Sequence, residues 1–168
     1  MEISNIKKQI SNKKNGYTLI EILVALAIIG LLFSFGYVSF RDFSRRQEVS
    51  GAAKGIQGDL RLAQGDAISG QKSSGCSGVL DGYSFLVAPP SEYKIQANCG
   101  AAPIDVKDVT LPSDVTISVP FPSPNPLNFK VLGQGTNITG DSPWTLKLTQ
   151  TGTGNSVEVT VTSGGEIK

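Results

Sequence analysis

Histidine is absent from the 168 residues. With it go the commonest general base and the commonest metal ligand. There is no glycine-rich phosphate loop, no cluster with metal-ligand spacing, and no Ser/His or Cys/His pairing. The chain is therefore expected to be no enzyme and to use no cofactor or metal. Cysteine is scarce, with only Cys76 and Cys99. An even pair in an exported chain predicts one disulfide, two free thiols being the alternative. Formal charge is missing from nineteen consecutive residues, Ile22 to Phe40.

That uncharged run is the dominant positive feature. Nineteen apolar residues in a helix span the roughly 30 Å of a bilayer core. One acid, Glu21, stands at its edge. A carboxylate inside such a run costs about 2.5–3.5 kcal/mol at mid-helix, so it needs a partner and is a functional candidate. Net charge is +1 overall but is unevenly placed. Residues 1–16 hold four lysines against Glu2, net +3, and residues 17–168 hold eleven basic and thirteen acidic side chains, net −2. A body of that balance is not expected to bind nucleic acid. Lys7, Lys8, Lys13 and Lys14 favour a cytoplasmic N-terminus, with the body exported. No A-x-A-like cleavage site follows Phe40, where the chain reads Arg41-Asp42-Phe43-Ser44-Arg45-Arg46.

Lys13-Lys14-Asn15-Gly16 followed by Tyr17-Thr18-Leu19-Ile20-Glu21 and the apolar run resembles the class III signal of type IV prepilins and pseudopilins. The resemblance implies cleavage after Gly16 by a membrane prepilin peptidase and N-methylation of the new amine on Tyr17, where phenylalanine is usual. It also implies a role for Glu21, which would neutralise the N-terminal amine of a neighbouring subunit in a filament. A buried charge that must be paired fixes axial register. The chain then divides into a leader (1–16), a transmembrane and assembly helix (17–40), an amphipathic continuation (41–70) and an exported β-rich domain (71–168).

Beyond the run, apolar residues recur at Val49, Ala53, Ile56, Leu60, Ala63 and Ala67, in steps of three and four. That is one stripe of an amphipathic helix, predicted to run from Tyr17 to about Ser69. Glycines at 30, 36, 51, 55, 58 and 65 are many for one helix, each costing about 1 kcal/mol against alanine. They either let helices approach closely or mark bends. The helix holds no proline; many major type IV pilins carry one near mid-helix, at what would be Val38, so its absence points toward minor pilins or pseudopilins.

After a Ser/Gly-rich break at 70–78 the period becomes two. Tyr83, Phe85 and Val87, the turn Pro89-Pro90-Ser91, then Tyr93, Ile95 and Ala97 predict an antiparallel hairpin. A Cys76–Cys99 bond would clamp its open end. Further strands are predicted over Val115–Val119, Leu127–Val131, Trp144–Leu148 and Val157–Val161, with Phe121–Pro126 a rigid loop and Trp144 in the core. The expected fold class is α+β: a long N-terminal helix, membrane-spanning in its first half, packed on an antiparallel sheet or sandwich of six or so short strands.

The segments 59–68, Leu127-Asn128-Phe129 with Gly133, Thr145–Leu148 and Val157–Val161 ahead of Gly164-Gly165 are similar to the H-class pseudopilins of type II secretion and the FimT-like minor pilins. Some FimT-like proteins bind DNA through arginines in the C-terminal tail. Here the tail has Glu166 and a single Lys168, and two cations are the minimum for useful phosphate neutralisation. The expected partners are prepilin peptidase, other pilin or pseudopilin subunits and, before assembly, the inner membrane. The alternatives are a DNA-uptake minor pilin and a membrane-anchored extracellular adhesion or binding module. The sequon Asn137-Ile138-Thr139 is read as a chance match.

Overall fold

The computed structural model describes residues 16–100 and 102–168, with the side chains of residues 34–39 outside that description. Most of the expected leader, residues 1–15, therefore lies outside the described residues. The chain forms two compact units that meet between Phe40 and Arg41.

Helix α1 runs unbroken over Leu19–Ser69. It starts two residues later than expected because Thr18 is its N-cap: the Thr18 hydroxyl accepts the Glu21 N–H at 3.3 Å. It stops at Gly70, whose φ of 65° suits glycine. There the N–H of Gly70 reaches Ala67 O and that of Gln71 reaches Asp66 O, the paired bonds of a Schellman cap. The helix continues through all six glycines, so these residues do not interrupt it.

In the second unit the predicted stripe is the buried one. Val49, Ala53, Ile56, Leu60, Ala63 and Ala67 are none more than 3% exposed. The opposite face, with Gly51, Lys54, Gly55, Gly58, Arg61 and Gly65, is exposed. A Cβ placed on Gly51, Gly55, Gly58 or Gly65 would meet nothing within 4 Å.

Two antiparallel sheets cover the stripe. Strands β1 (Gly82–Ala88), β2 (Glu92–Asn98), β3 (Pro103–Thr110) and β5 (Leu127–Lys130) form one, in the order β3-β2-β1-β5. Strands β4 (Val115–Ile117), β6 (Trp144–Gln150) and β7 (Ser156–Val161) form the other, in the order β4-β6-β7. The fold class is thus α+β, as expected. The hairpin is in register, Tyr83 opposite Ala97, Phe85 opposite Ile95 and Val87 opposite Tyr93. Cys76 and Cys99 are bonded, with Cα atoms 5.5 Å apart, next to the pair Gly82–Asn98 that ends the hairpin. Gly82 must be glycine: its φ is 150° and a Cβ there would overlap the Phe129 carbonyl oxygen of β5.

Three sequence expectations need correction. A seventh strand, β3, was not anticipated. β4 ends at Ile117, and Val119 lies outside it and is 73% exposed. Val131 belongs not to β5 but to a 3-10 turn, Val131–Gly133, in which Leu132 has a φ of 55°.

The inner faces of both sheets meet in one core. Phe85 of the first sheet stacks on Tyr93 with centroids 4.8 Å apart and meets Trp144 of the second edge-on at 5.9 Å. Trp144 is buried, and its indole N–H donates to Pro124 O at 2.9 Å. In the proline-rich loop, flanking prolines prevent Asn125 from extending β5 by its backbone. Its side chain does this instead, accepting from Val87 N–H and donating to Val87 O, both at 3.0 Å. The sheets are stitched on one side by residues 135–137. Gly135 O and Asn137 N pair with Lys130 and Asn128 of β5, while Thr136 N donates to Ser163 O beyond β7. Residues 166–168 fold back on β7, Lys168 pairing both ways with Thr160.

Candidate functional site

The first unit carries the sequence-predicted site. Gly16 and Tyr17 are exposed and precede the first helical residue. Tyr17 is 78% exposed. A peptidase can bind a bond in this non-helical backbone in extended form without first unwinding a helix. The helix start just beyond is set by a reciprocal pair: the Thr18 hydroxyl accepts from Glu21 N–H, and the Glu21 carboxylate accepts from Thr18 N–H at 3.4 Å. This is a capping box, and it places a carboxylate at the positive end of the helix dipole. The spacing Thr18-x-x-Glu21 carries that signature in the sequence, where the acid was read only as a partner for an amine. In the single chain Glu21 thus has a local partner. Pairing with a neighbour's amine would exchange one hydrogen-bonded contact for another.

From Leu19 to Phe33 the helix shows apolar side chains in every direction, Leu19, Leu26, Leu32 and Phe33 each at least 63% exposed. No helix among the described residues is long and apolar enough to cross a membrane. The expected span, Ile22–Phe40, includes the side chains of 34–39, which lie outside the described residues.

In the second unit, polar contacts lock α1 to the sheets. Asp59 accepts from the Tyr93 hydroxyl at 2.7 Å and from Lys107 Nζ at 2.7 and 2.9 Å. Burial, then the bond to Asp59 and its negative charge, push the Tyr93 phenol well above the ordinary tyrosine range. Burial, with the charge of Asp66, also raises Tyr83, whose hydroxyl donates to Gln71 O at 2.6 Å. Gln64 donates to Gly165 O at 2.8 Å. The Arg45 guanidinium lies on the β6–β7 turn, where a Cβ on Gly152 would sit 3.0 Å from Arg45 Cζ. On the outer side of β2 and β3, Lys94 pairs with Asp105 at 2.9 Å and Asp108 at 3.1 Å. Hydrogen bonds from Gln96 and then Lys94 hold the Asp105 carboxyl below its usual range. The contacts of Asp59, Gln64 and Arg45 were not readable from local sequence, because each joins α1 to residues far along the chain.

A small cavity of about 80 Å³ lies between the end of α1 and the β5 turn, lined by Gln64, Ile68, Phe129, Lys130 and three glycines. Among the described residues, no group of three or more acidic or cysteine side chains could hold a metal ion. Asn137 of the sequon bridges loops, accepting from Asn128 N–H at 2.8 Å and donating to Pro126 O at 3.1 Å.

A long helix with an exposed processing motif at its start and antiparallel sheets wrapped on its second half is the α+β layout of a pilin-type subunit. Residues 11–37 match the family model described as the prokaryotic N-terminal methylation motif, so in that region the chain is type IV prepilin-like. The motif implies processing by prepilin peptidase and assembly with other pilins. No curated protein and no solved structure matches the chain.

Proposed function

We propose that this chain is a minor pilin or pseudopilin, of the H-class or FimT-like kind, and a structural subunit rather than an enzyme. Prepilin peptidase cuts after Gly16, and Tyr17 becomes the methylated N-terminus. The chain waits in the inner membrane with its basic N-terminus inside and residues 41–168 outside, then enters a pilus or secretion pseudopilus through α1. It uses no cofactor, and nucleic acid is not among its partners. The observation that carries this reading is the methylation motif at residues 11–37, within which Gly16 and Tyr17 are exposed and non-helical directly before a capped helix. The membrane-anchored state is supported by the uncharged run Ile22–Phe40 and by the all-round apolar exposure of Leu19–Phe33. The subunit class is supported by the absence of proline from α1 and by the order of the segments similar to H-class and FimT-like chains.

Mass spectrometry of the mature protein tests it. The expected species begins at N-methylated Tyr17. An intact Met1–Lys168 chain as the sole stable form contradicts the reading and favours a permanently anchored extracellular module.

A further inference from the structure

The uncharged run ends at Phe40, and α1 continues without a break into the second unit. Its first turns there hold three arginines, Arg41, Arg45 and Arg46, against Asp42 and Glu48. These arginines do different work. Arg45 is half-buried and its guanidinium rests on the β6–β7 turn at Gly152. Arg46 is exposed and joins no ion pair among the described residues, Asp42 and Glu48 included. Phe43, three residues earlier and therefore on the same side of the helix, is 59% exposed. An exposed aromatic ring beside an exposed guanidinium has no explanation in the packing of this domain.

Both fit one chemical environment. The headgroup layer on each side of a bilayer is roughly 5–8 Å thick. Phe43 lies three residues past the run, about 4.5 Å of helix rise and within that layer, and Arg46 six, about 9 Å and just outside it, from where its long side chain reaches back. Aromatic rings settle at the boundary between acyl chains and headgroups. A guanidinium a little farther out binds phosphate oxygens in a bidentate fork and extends its apolar stem toward the membrane.

We propose that Phe43 and Arg46 form an interfacial anchor for lipid headgroup phosphates on the outer face of the inner membrane. The anchor sets how deep the unassembled subunit sits. The inference rests on the membrane-anchored state proposed above. Arg45 is spared for the β6–β7 turn, and the lipid contact is made by its neighbour. Leaving the membrane for a filament would then include breaking this phosphate contact, a step separate from extracting the apolar run.

The full chain carrying Phe43→Trp, reconstituted into phosphatidylethanolamine–phosphatidylglycerol vesicles, tests this. Part of the lipid is brominated either high or deep on the acyl chain. Trp144 is buried and contributes a constant background. The expected result is strong quenching by the shallow bromines and weak quenching by the deep ones. Adding Arg46→Glu is expected to cut the shallow quenching about twofold, because one cation near an anionic surface is replaced by an anion; Arg46→Lys should largely preserve it. Emission insensitive to either lipid, quenching mainly by deep bromines, or no response to Arg46→Glu overturns the anchor. An alkaline carbonate wash of the same vesicles separates the two claims. Retention in the pellet with any of those results refutes the anchor alone, whereas loss of the wild-type chain from the pellet refutes the membrane-anchored state and the anchor with it.

Discussion

Replacing Gly51, Gly55 and Gly58 by alanine should stabilise the domain substantially. All three lie inside α1, and a Cβ at each would meet open space. Glycine in a helix interior costs about 1 kcal/mol relative to alanine, through backbone entropy lost on folding. The triple variant should therefore gain about 3 kcal/mol. For a unit the size of 41–168, that is a rise in melting temperature of roughly 10 °C. Thermal unfolding of the fragment Arg41–Lys168, followed by circular dichroism, measures it. The three single variants should each raise the midpoint and should add, because no contact is shared among them. Gly82→Ala serves as the opposing control. It should destabilise strongly, since a Cβ there collides with the Phe129 carbonyl and the φ of 150° suits glycine. A lowered or unchanged midpoint in any single helix variant would mean that its Cβ does meet something, and would refute the reasoning.

Other outcomes follow from the same geometry. The Tyr93 phenol is raised above its ordinary value of 10.0 in the fold. The neutral form is therefore favoured on folding, and its contribution is complete below pH 10 and lost as pH rises past it; Tyr93→Phe should flatten the alkaline fall in urea-unfolding stability, and an unchanged slope would contradict this. Cys76→Ser with Cys99→Ser opens a link 23 residues apart in sequence and should cost about 3 kcal/mol in urea unfolding. Loss of less than a third of that would place the clamp outside the stability of the domain. Glu21→Ala should leave cleavage after Gly16 intact while removing half of the capping box and impairing assembly; normal incorporation into filaments sinks the register role. Thr18→Val should fray the helix start by about 1 kcal/mol, read as reduced amide protection at Glu21 and Ile22 in micelles.

The helix stripe was legible because burial on one side of α1 leaves a three-four period, and Val49 through Ala67 keep it without a slip. β1, β2, β6 and β7 were legible for the matching reason, a period of two with one buried face. β3 was not. Its residues are mostly exposed on both sides, so no face had to be apolar. Its pairing with β2 also shifts register between Ile95 and Gln96, leaving Val106 unpaired, so that Ile104 and Val109 face the same side although they are five residues apart and break a period of two. Val119 and Val131 kept the alternation of their strands in sequence, but the backbone turned away before them. At the N-terminal site the residues and their spacing were readable, whereas the reciprocal bonds of Thr18 and Glu21 needed coordinates. The contacts of Asp59, Gln64 and Arg45 join α1 to residues at least thirty-four positions away in the chain, beyond any local signal.

The stitch at residues 135–137 and the fold-back at 166–168 bear on the timing of folding. Ser163 closes one sheet onto the other, Gly165 receives Gln64 across 101 positions of sequence, and Lys168 seals the β7 edge. Contacts of such separation form slowly, and in the exported topology proposed above they cannot form until residues 163–168 have crossed the membrane. During translocation the second half of α1, residues 41–69, and the early hairpin would therefore stand outside the membrane with the buried stripe only partly covered. The Cys76–Cys99 bond, which closes a comparatively local loop, is available far sooner. It can hold the hairpin together through that interval, so oxidation in the outer compartment would act as a provisional fastening for a domain whose final closure comes last.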